Sequence, residues 1–372
     1  MRLVALLTSA MGFSMLPLFL LGALAPFLVA DLAVARPLLG VLVTAGFGVA
    51  AVLSLIVGSV VDAVGARRAT VALFAVSAVA LGVFAVAGGY GALVGAVALG
   101  GVPQALANPA TNRVIAAHVA PARRPGAVGV KQSGVQLGAF AAGLPLAWVA
   151  QAVDWRVAVG CAAVLAGVAA VAALGLPADP EPVRRTVVRV AWTAEPTVRR
   201  LLAFSVPLGA GIAAVNTYVA LFAGQDLGFP PRSAAALVAG LGVTGIVGRV
   251  LWTRVGTPRV LLAPLAAGAV LAALSLAFAG VLGGGFAWVG VLAVGAFAVS
   301  ANAVSMSLVL ATATPGHTGR DSALVSAGFF AGFALGPPVV GVLVDAAGYR
   351  AGWLLVAALF AGAGAVVLRW RR

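Results

Sequence analysis

Apolar runs of roughly 20 residues or more, long enough to cross the hydrocarbon core of a bilayer as helices, follow one another almost end to end in this chain. Short breaks holding arginine, proline or glycine separate them. The pattern places runs at Val4–Ala30, Pro37–Val61, Ala69–Ala87, Gly91–Ala117, Gly126–Ala150 and Val157–Leu176. A second set follows at Leu201–Ala223, Ser233–Thr253, Val260–Val281, Ala287–Thr314, Ser322–Asp345 and Ala351–Leu368. In lipid, backbone N–H and C=O groups have no water to bond, so only helices and closed barrels span it. Barrel strands alternate in polarity over about 10 residues, whereas these runs are apolar throughout. The sequence therefore predicts an all-α integral membrane protein with about twelve transmembrane helices. Only 9% of its 372 residues are charged, against about 25% in a soluble domain. That is too little polar material to coat a water-facing surface.

The formal charge of +14 does not mark a nucleic-acid binder, because the arginines stand singly or in pairs at run ends and form no basic face with interleaved aromatics. They read as a positive-inside bias. Arg67, Arg68, Arg123, Arg124, Arg254, Arg259, Arg320 and the C-terminal arginines fall on one side, with Arg36, Arg156, Arg232 and Arg350 opposite. The expected topology is multi-pass in the plasma or inner cell membrane, with both termini cytoplasmic. Met1-Arg2 and the small residues around Ala23 and Ala25 resemble a leader with a cleavage site. The apolar run continues to Ala30, beyond a leader's usual core, so it reads as an uncleaved first helix. Cys161 is the one cysteine, which leaves no intrachain disulfide to form.

Pro177–Arg200 breaks the apolar pattern with four prolines, three acids and five arginines. It reads as a cytoplasmic linker, residues 177–200, between an N-terminal bundle, residues 1–176, and a C-terminal bundle, residues 201–372. The halves show a faint repeat. The 194-position spacing that relates Asn108 to Asn302 also relates Pro121 to Pro315, Arg156 to Arg350, Gly134 to Gly328 and Gly138 to Gly332.

Between the second and third runs stands Gly58-Ser-Val-Val-Asp62-Ala-Val-Gly65-Ala-Arg67-Arg68. A sharp turn between two membrane helices needs glycine, arginines hold such a loop on the cytoplasmic side, and a carboxylate at the edge of an uncharged span implies a partner. At these residues the chain resembles the major facilitator superfamily, whose signature reads Gly-x-x-x-Asp-Arg-x-Gly-Arg/Lys-Arg/Lys. Gly58, Asp62, Gly65, Arg67 and Arg68 fit; Ala63 and Ala66 depart from it. The resemblance implies two pseudo-symmetric six-helix bundles rocking about a midplane site. It also implies an inner gate formed by the signature with Arg113, an arginine of the fourth helix.

Polar side chains inside the runs are the candidate site residues, because an unpaired amide is costly in hydrocarbon. The resemblance places Ser14, Gln104, Asn108, Asn216, Tyr218 and Asn302, on the first, fourth, seventh and tenth helices, along a substrate pathway. Hydrogen bonding between helices is the alternative role. Gln132 and Gln136 share one face of the fifth helix. Lys131, the one lysine in the chain, is an anion-attracting group or a side chain snorkelling to the interface. The small-xxx-small spacings Gly134/Gly138 and Gly328/Gly332/Gly336 suit close helix packing, and Pro337-Pro338 is able to break or bend the eleventh helix.

No metal-ligand cluster, phosphate loop or catalytic constellation appears in the sequence, so no cofactor and no enzymatic activity are expected. The expected function is secondary transport of a small-molecule substrate by alternating access. A small organic or inorganic anion is favoured as cargo, with a proton or another ion as the coupling partner. The expected state is a monomer in the lipid bilayer. Drug or metabolite efflux by proton antiport is the alternative, although the fifth helix lacks the Gly-Pro-x-x-Gly-Gly element of such antiporters. A membrane-embedded enzyme or a sensor is the alternative of a different class.

Overall fold

The computed structural model describes residues 2–32, 36–178, 195–313 and 317–368, and the regular elements among them are all helices. The first part of the chain holds α1 (Arg2–Ala23), α2 (Ala25–Leu32), α3 (Arg36–Val64), α4 (Ala66–Ala85), α5 (Tyr90–His118), α6 (Arg124–Gln132), α7 (Gly134–Ala141), α8 (Ala147–Ala152) and α9 (Trp155–Ala173). After the linker come α10 (Pro196–Gln225), α11 (Pro231–Trp252), α12 (Pro258–Leu282), α13 (Gly285–Ala293), α14 (Ser300–Thr312) and α15 (Thr318–Leu368). Among the described residues, ten helical stretches are long and apolar enough to cross a membrane. One of them, α15, is interrupted at Gly348 (φ 81°), and α11 adds a shorter apolar stretch, Ala236–Trp252. That agrees with about a dozen crossings of a multi-pass membrane protein.

Two boundaries depart from the sequence pattern. The first run is two helices meeting at Leu24, because Pro26 has no N–H to give Gly22. The bonds from Leu24 N to Leu20 O at 2.8 Å and from Leu28 N to Leu24 O at 3.0 Å keep the pair nearly continuous. The helix expected from Leu201 starts at Pro196; proline suits a first helical position, and the arginines at 199 and 200 are good helix formers. Most of the linker, residues 179–194, lies outside the described residues, as do the C-terminal arginines. Pro337-Pro338 does not end α15. A neighbouring side chain bonds the backbone there, the Tyr218 hydroxyl donating to Pro337 O at 2.9 Å.

Two helices widen locally into π turns, Ala142–Leu146 between α7 and α8 and Val294–Val299 between α13 and α14. Pro145 sits in the first and cannot donate. In the second the Ser300 hydroxyl donates to Gly295 O at 3.3 Å.

Contacts divide the chain into two compact units, Met1–Thr193 with Ala313–Ala327, and Ala194–Thr312 with Gly328–Arg372. The start of α15 thus groups with the first unit, for reasons given below. In that unit α4 lies against α5 and α9. The Asp154 carboxylate caps α9 by accepting from Arg156 N at 2.6 Å, and Asp31 accepts from Trp155 Nε1 at 2.7 Å.

Both units use one packing device. In the first, a Cβ on Gly134 would collide with Thr8 O, and one on Gly138 would come within 2.8 Å of Gly12 O. In the second, a Cβ on Gly328 would lie 2.7 Å from Leu202 O, and one on Gly332 would collide with Val206 O. Each of these four glycine–carbonyl contacts maps onto its counterpart by the same 194-position shift, 8 to 202, 12 to 206, 134 to 328 and 138 to 332. The faint sequence repeat is therefore a repeat of backbone approach. Gly134→Ala and Gly328→Ala are each expected to cost about 1–3 kcal/mol as overpacking, read as a lower melting temperature in detergent. Gly160→Ala and Gly362→Ala, where nothing lies within 4 Å of the added methyl, are expected to leave it unchanged.

Candidate functional site

Gly65 alone separates α3 from α4, at φ 91° and ψ 154°, a conformation glycine adopts without steric cost. The turn places Asp62 on the last turn of α3, where it is 5% exposed. Its Oδ1 accepts from Arg113 on α5 at 2.8 Å and from Gly319 N at 3.0 Å, and its Oδ2 accepts from Arg320 N at 2.8 Å. The last two donors are first-turn N–H groups of α15, which have no partner within their own helix. Asp62 thus caps a helix far along the chain and favours its positive end. Glycine makes the approach possible: a Cβ on Gly58 would lie 2.5 Å from Arg320 Cα, and one on Gly319 would lie 2.5 Å from Asp62 Oδ1. Arg67 and Arg68 are exposed on the first turn of α4.

A second set of contacts joins α5, α6 and the start of α15. Gln104, Asn108, Thr111 and Asn112 follow one another at helical spacing along α5 and are all buried. Lys131, at the end of α6, is 0% exposed. Its Nζ donates to Thr111 Oγ1 at 2.6 Å and to Asn108 Oδ1 at 3.0 Å. An ammonium only donates, so Asn108 must turn its oxygen toward it. That oxygen also accepts from Gln132 Nε2 at 2.9 Å, while Asn108 Nδ2 donates to Ser326 Oγ at 2.9 Å. One turn along, Asn112 Nδ2 donates to Ser322 Oγ at 2.9 Å. Two asparagines four residues apart thus meet two serines four residues apart, and with Asp62 they hold the start of α15 in the first unit.

Among the described residues Lys131 has no carboxylate partner. Both of its acceptors are neutral, and one of its three protons has no acceptor. A buried ammonium loses several kcal/mol of hydration, and two neutral oxygens return only part of it. In place of snorkelling, one of its two expected roles, the side chain is fully buried with Nζ held by α5.

Ser14 is buried and donates to Met11 O at 2.9 Å within its own helix. Gln136 is half-buried on α7. In the second unit, Asn216 is exposed and donates to Ile212 O at 2.9 Å, Tyr218 reaches Pro337, and Asn302 is buried, its Oδ1 without a hydrogen-bond partner among the described residues. Thr111, Ser322 and Ser326 were not singled out in the sequence. Their signal is spacing: Thr111 lies three residues from Asn108, and the serine pair matches the asparagine pair.

A sequence model described as Major Facilitator Superfamily matches residues 3–320. No curated protein matches the chain by sequence. Among solved structures, the human organic anion transporter MFSD10 (TETRAN) superposes with a TM-score of 0.84 at 16% identity, covering 98% of this chain and 99% of its own. The fucose:proton symporter FucP of E. coli, in its N162A form, gives a TM-score of 0.78 at 16% identity, covering 99% and 98%. The proton:xylose symporter XylE, bound to 6-bromo-6-deoxy-D-glucose, gives a TM-score of 0.80 at 15% identity, covering 100% and 95%.

Proposed function

Because the chain belongs to the Major Facilitator Superfamily, a family of secondary transporters, we propose that it moves a small anion across the membrane by alternating access. Two bundles, residues 1–176 and 201–372, rock about a midplane site, with the α3–α4 turn on the cytoplasmic side. Asp62, Arg113, Gly58 and the start of α15 act as the inner gate. Lys131, Asn108 and Thr111 form the part of the pathway that meets the charge of the cargo.

One observation carries the anion reading: the single lysine of the chain is buried among neutral oxygens, with a proton left over. A small anion is the partner that completes it. The structural relatives do not choose the cargo. One is described as an organic anion transporter and two as sugar symporters, all at 15–16% identity.

A thermal-stability screen of the purified protein tests the reading. A ligand present at 100 times its Kd stabilises the folded state by about 2.7 kcal/mol. Small carboxylates or inorganic anions are expected to raise the melting temperature, and neutral sugars and organic cations are not. Stabilisation by neutral or cationic compounds alone would remove the anion from the proposal and leave the transporter.

A further inference from the structure

The α5 face that carries Asn108 continues one turn earlier with Gln104, which the lattice around Lys131 does not use. Gln104 is 0% exposed, and among the described residues neither its Oε1 nor its Nε2 has a hydrogen-bond partner. A buried amide with both ends unbonded is unfavourable unless something else completes it. Asn108, by contrast, has its oxygen taken by two donors and gives one of its two N–H groups to Ser326. Lys131 keeps one N–H to offer. Lys131 therefore offers one ammonium proton to a ligand, and Gln104 a complete carboxamide. Gln104 and Asn108 are four residues apart on a helix, which puts their Cβ atoms about 5–6 Å from each other.

We propose that the cargo is a small organic monocarboxylate bearing a second hydrogen-bonding group, a hydroxyl or an amide, beyond its carboxylate. The carboxylate meets Lys131 and the second group meets Gln104. This rests on the anion reading above and narrows it. A single ammonium balances one negative charge. A phosphate or sulfate dianion would be under-compensated here, since Arg113, also on α5, already pairs with Asp62. Sites built to hydrogen-bond a substrate group reject the analogue lacking it far more strongly than an apolar pocket rejects one.

The test uses matched pairs on the full-length protein in detergent: 4-hydroxybutyrate against butyrate, and N-acetylglycine against pentanoate. The wild type is expected to bind the member with the second polar group at least tenfold more tightly. Gln104→Leu, close in volume and apolar, is expected to bind both members of each pair equally. Without ligand its melting temperature is expected to equal or exceed that of the wild type, because an unbonded amide has been removed. A wild type that binds carboxylates without discriminating overturns the proposal, as does a Gln104→Leu variant that still discriminates. If no anion binds the wild type at all, the anion reading fails first and this proposal falls with it.

Discussion

Lys131→Met is expected to abolish binding and uptake of the anion while leaving the protein at least as stable as before. The residue is 0% exposed and bonded to Asn108 and Thr111, so the substitution removes a charge without opening a path to water. Losing one partner of a buried, hydrogen-bonded charge pair costs about 2–5 kcal/mol of binding. At about 1.4 kcal/mol per decade, affinity for the cargo falls between about 30- and 4,000-fold. In the empty protein the sign reverses. Methionine is unbranched and adaptable, carries no charge to desolvate, and leaves Asn108 Oδ1 still accepting from Gln132 and Thr111 still donating to Ala107 O. The unliganded melting temperature is therefore expected to hold or rise. A general structural lesion would instead lower stability and activity together. Lys131→Arg is expected to restore little, because a broad planar guanidinium replaces a compact ammonium at a fully buried position. Undiminished uptake by the methionine variant into proteoliposomes would show that this charge does not meet the cargo.

How much of this was legible in the sequence depended on the kind of interaction. Helix number and type followed from apolar runs, because lipid allows the backbone few alternatives. The signature turn was legible because a one-residue connection at positive φ demands Gly65, and because a carboxylate at a span end demands a partner. The repeat was faint as residue identity and clear as geometry: Thr8 and Leu202 share no chemistry, yet each offers a backbone carbonyl to a glycine at the equivalent place. Apolar periodicity could not fix boundaries at Leu24, Pro196 or Gly348, where single backbone preferences decide. Burial of Lys131 was not readable either, since a lysine near a span end snorkels or stays inside according to what the neighbouring helix offers. Here Asn108 and Thr111 offer oxygens. Ser322 and Ser326 stayed hidden because their partners lie 210 and 218 positions away in the chain.

The last expectation concerns Asp62. Asparagine at this position keeps the size of the side chain and removes the charge and one acceptor oxygen. Asp62 takes three hydrogen bonds, from Arg113 Nη1 and from the first-turn N–H groups at Gly319 and Arg320. An asparagine offers one acceptor atom in their place, and its NH₂ would face a donor. Removing one partner of a buried ion pair costs about 3–5 kcal/mol, concentrated here in the arrangement that holds the start of α15 on α3 and α5. A two-state equilibrium moves from 1:99 to 99:1 with about 5.5 kcal/mol, so this loss is large enough to depopulate that arrangement. Asp62→Asn is expected to lower the transport rate tenfold or more while anion binding by Lys131 persists. The readout that separates a gate from a fold defect is chemical access. With Cys161 replaced by alanine, Ser322→Cys stands on a fully buried position of α15. A maleimide is expected to label it slowly with Asp62 intact and at least tenfold faster in the Asp62→Asn background. Equal labelling rates with impaired transport would mean that Asp62 serves the stability of the bundle and not the opening of a gate, since a capped helix end that never leaves its carboxylate protects its neighbours equally in every state.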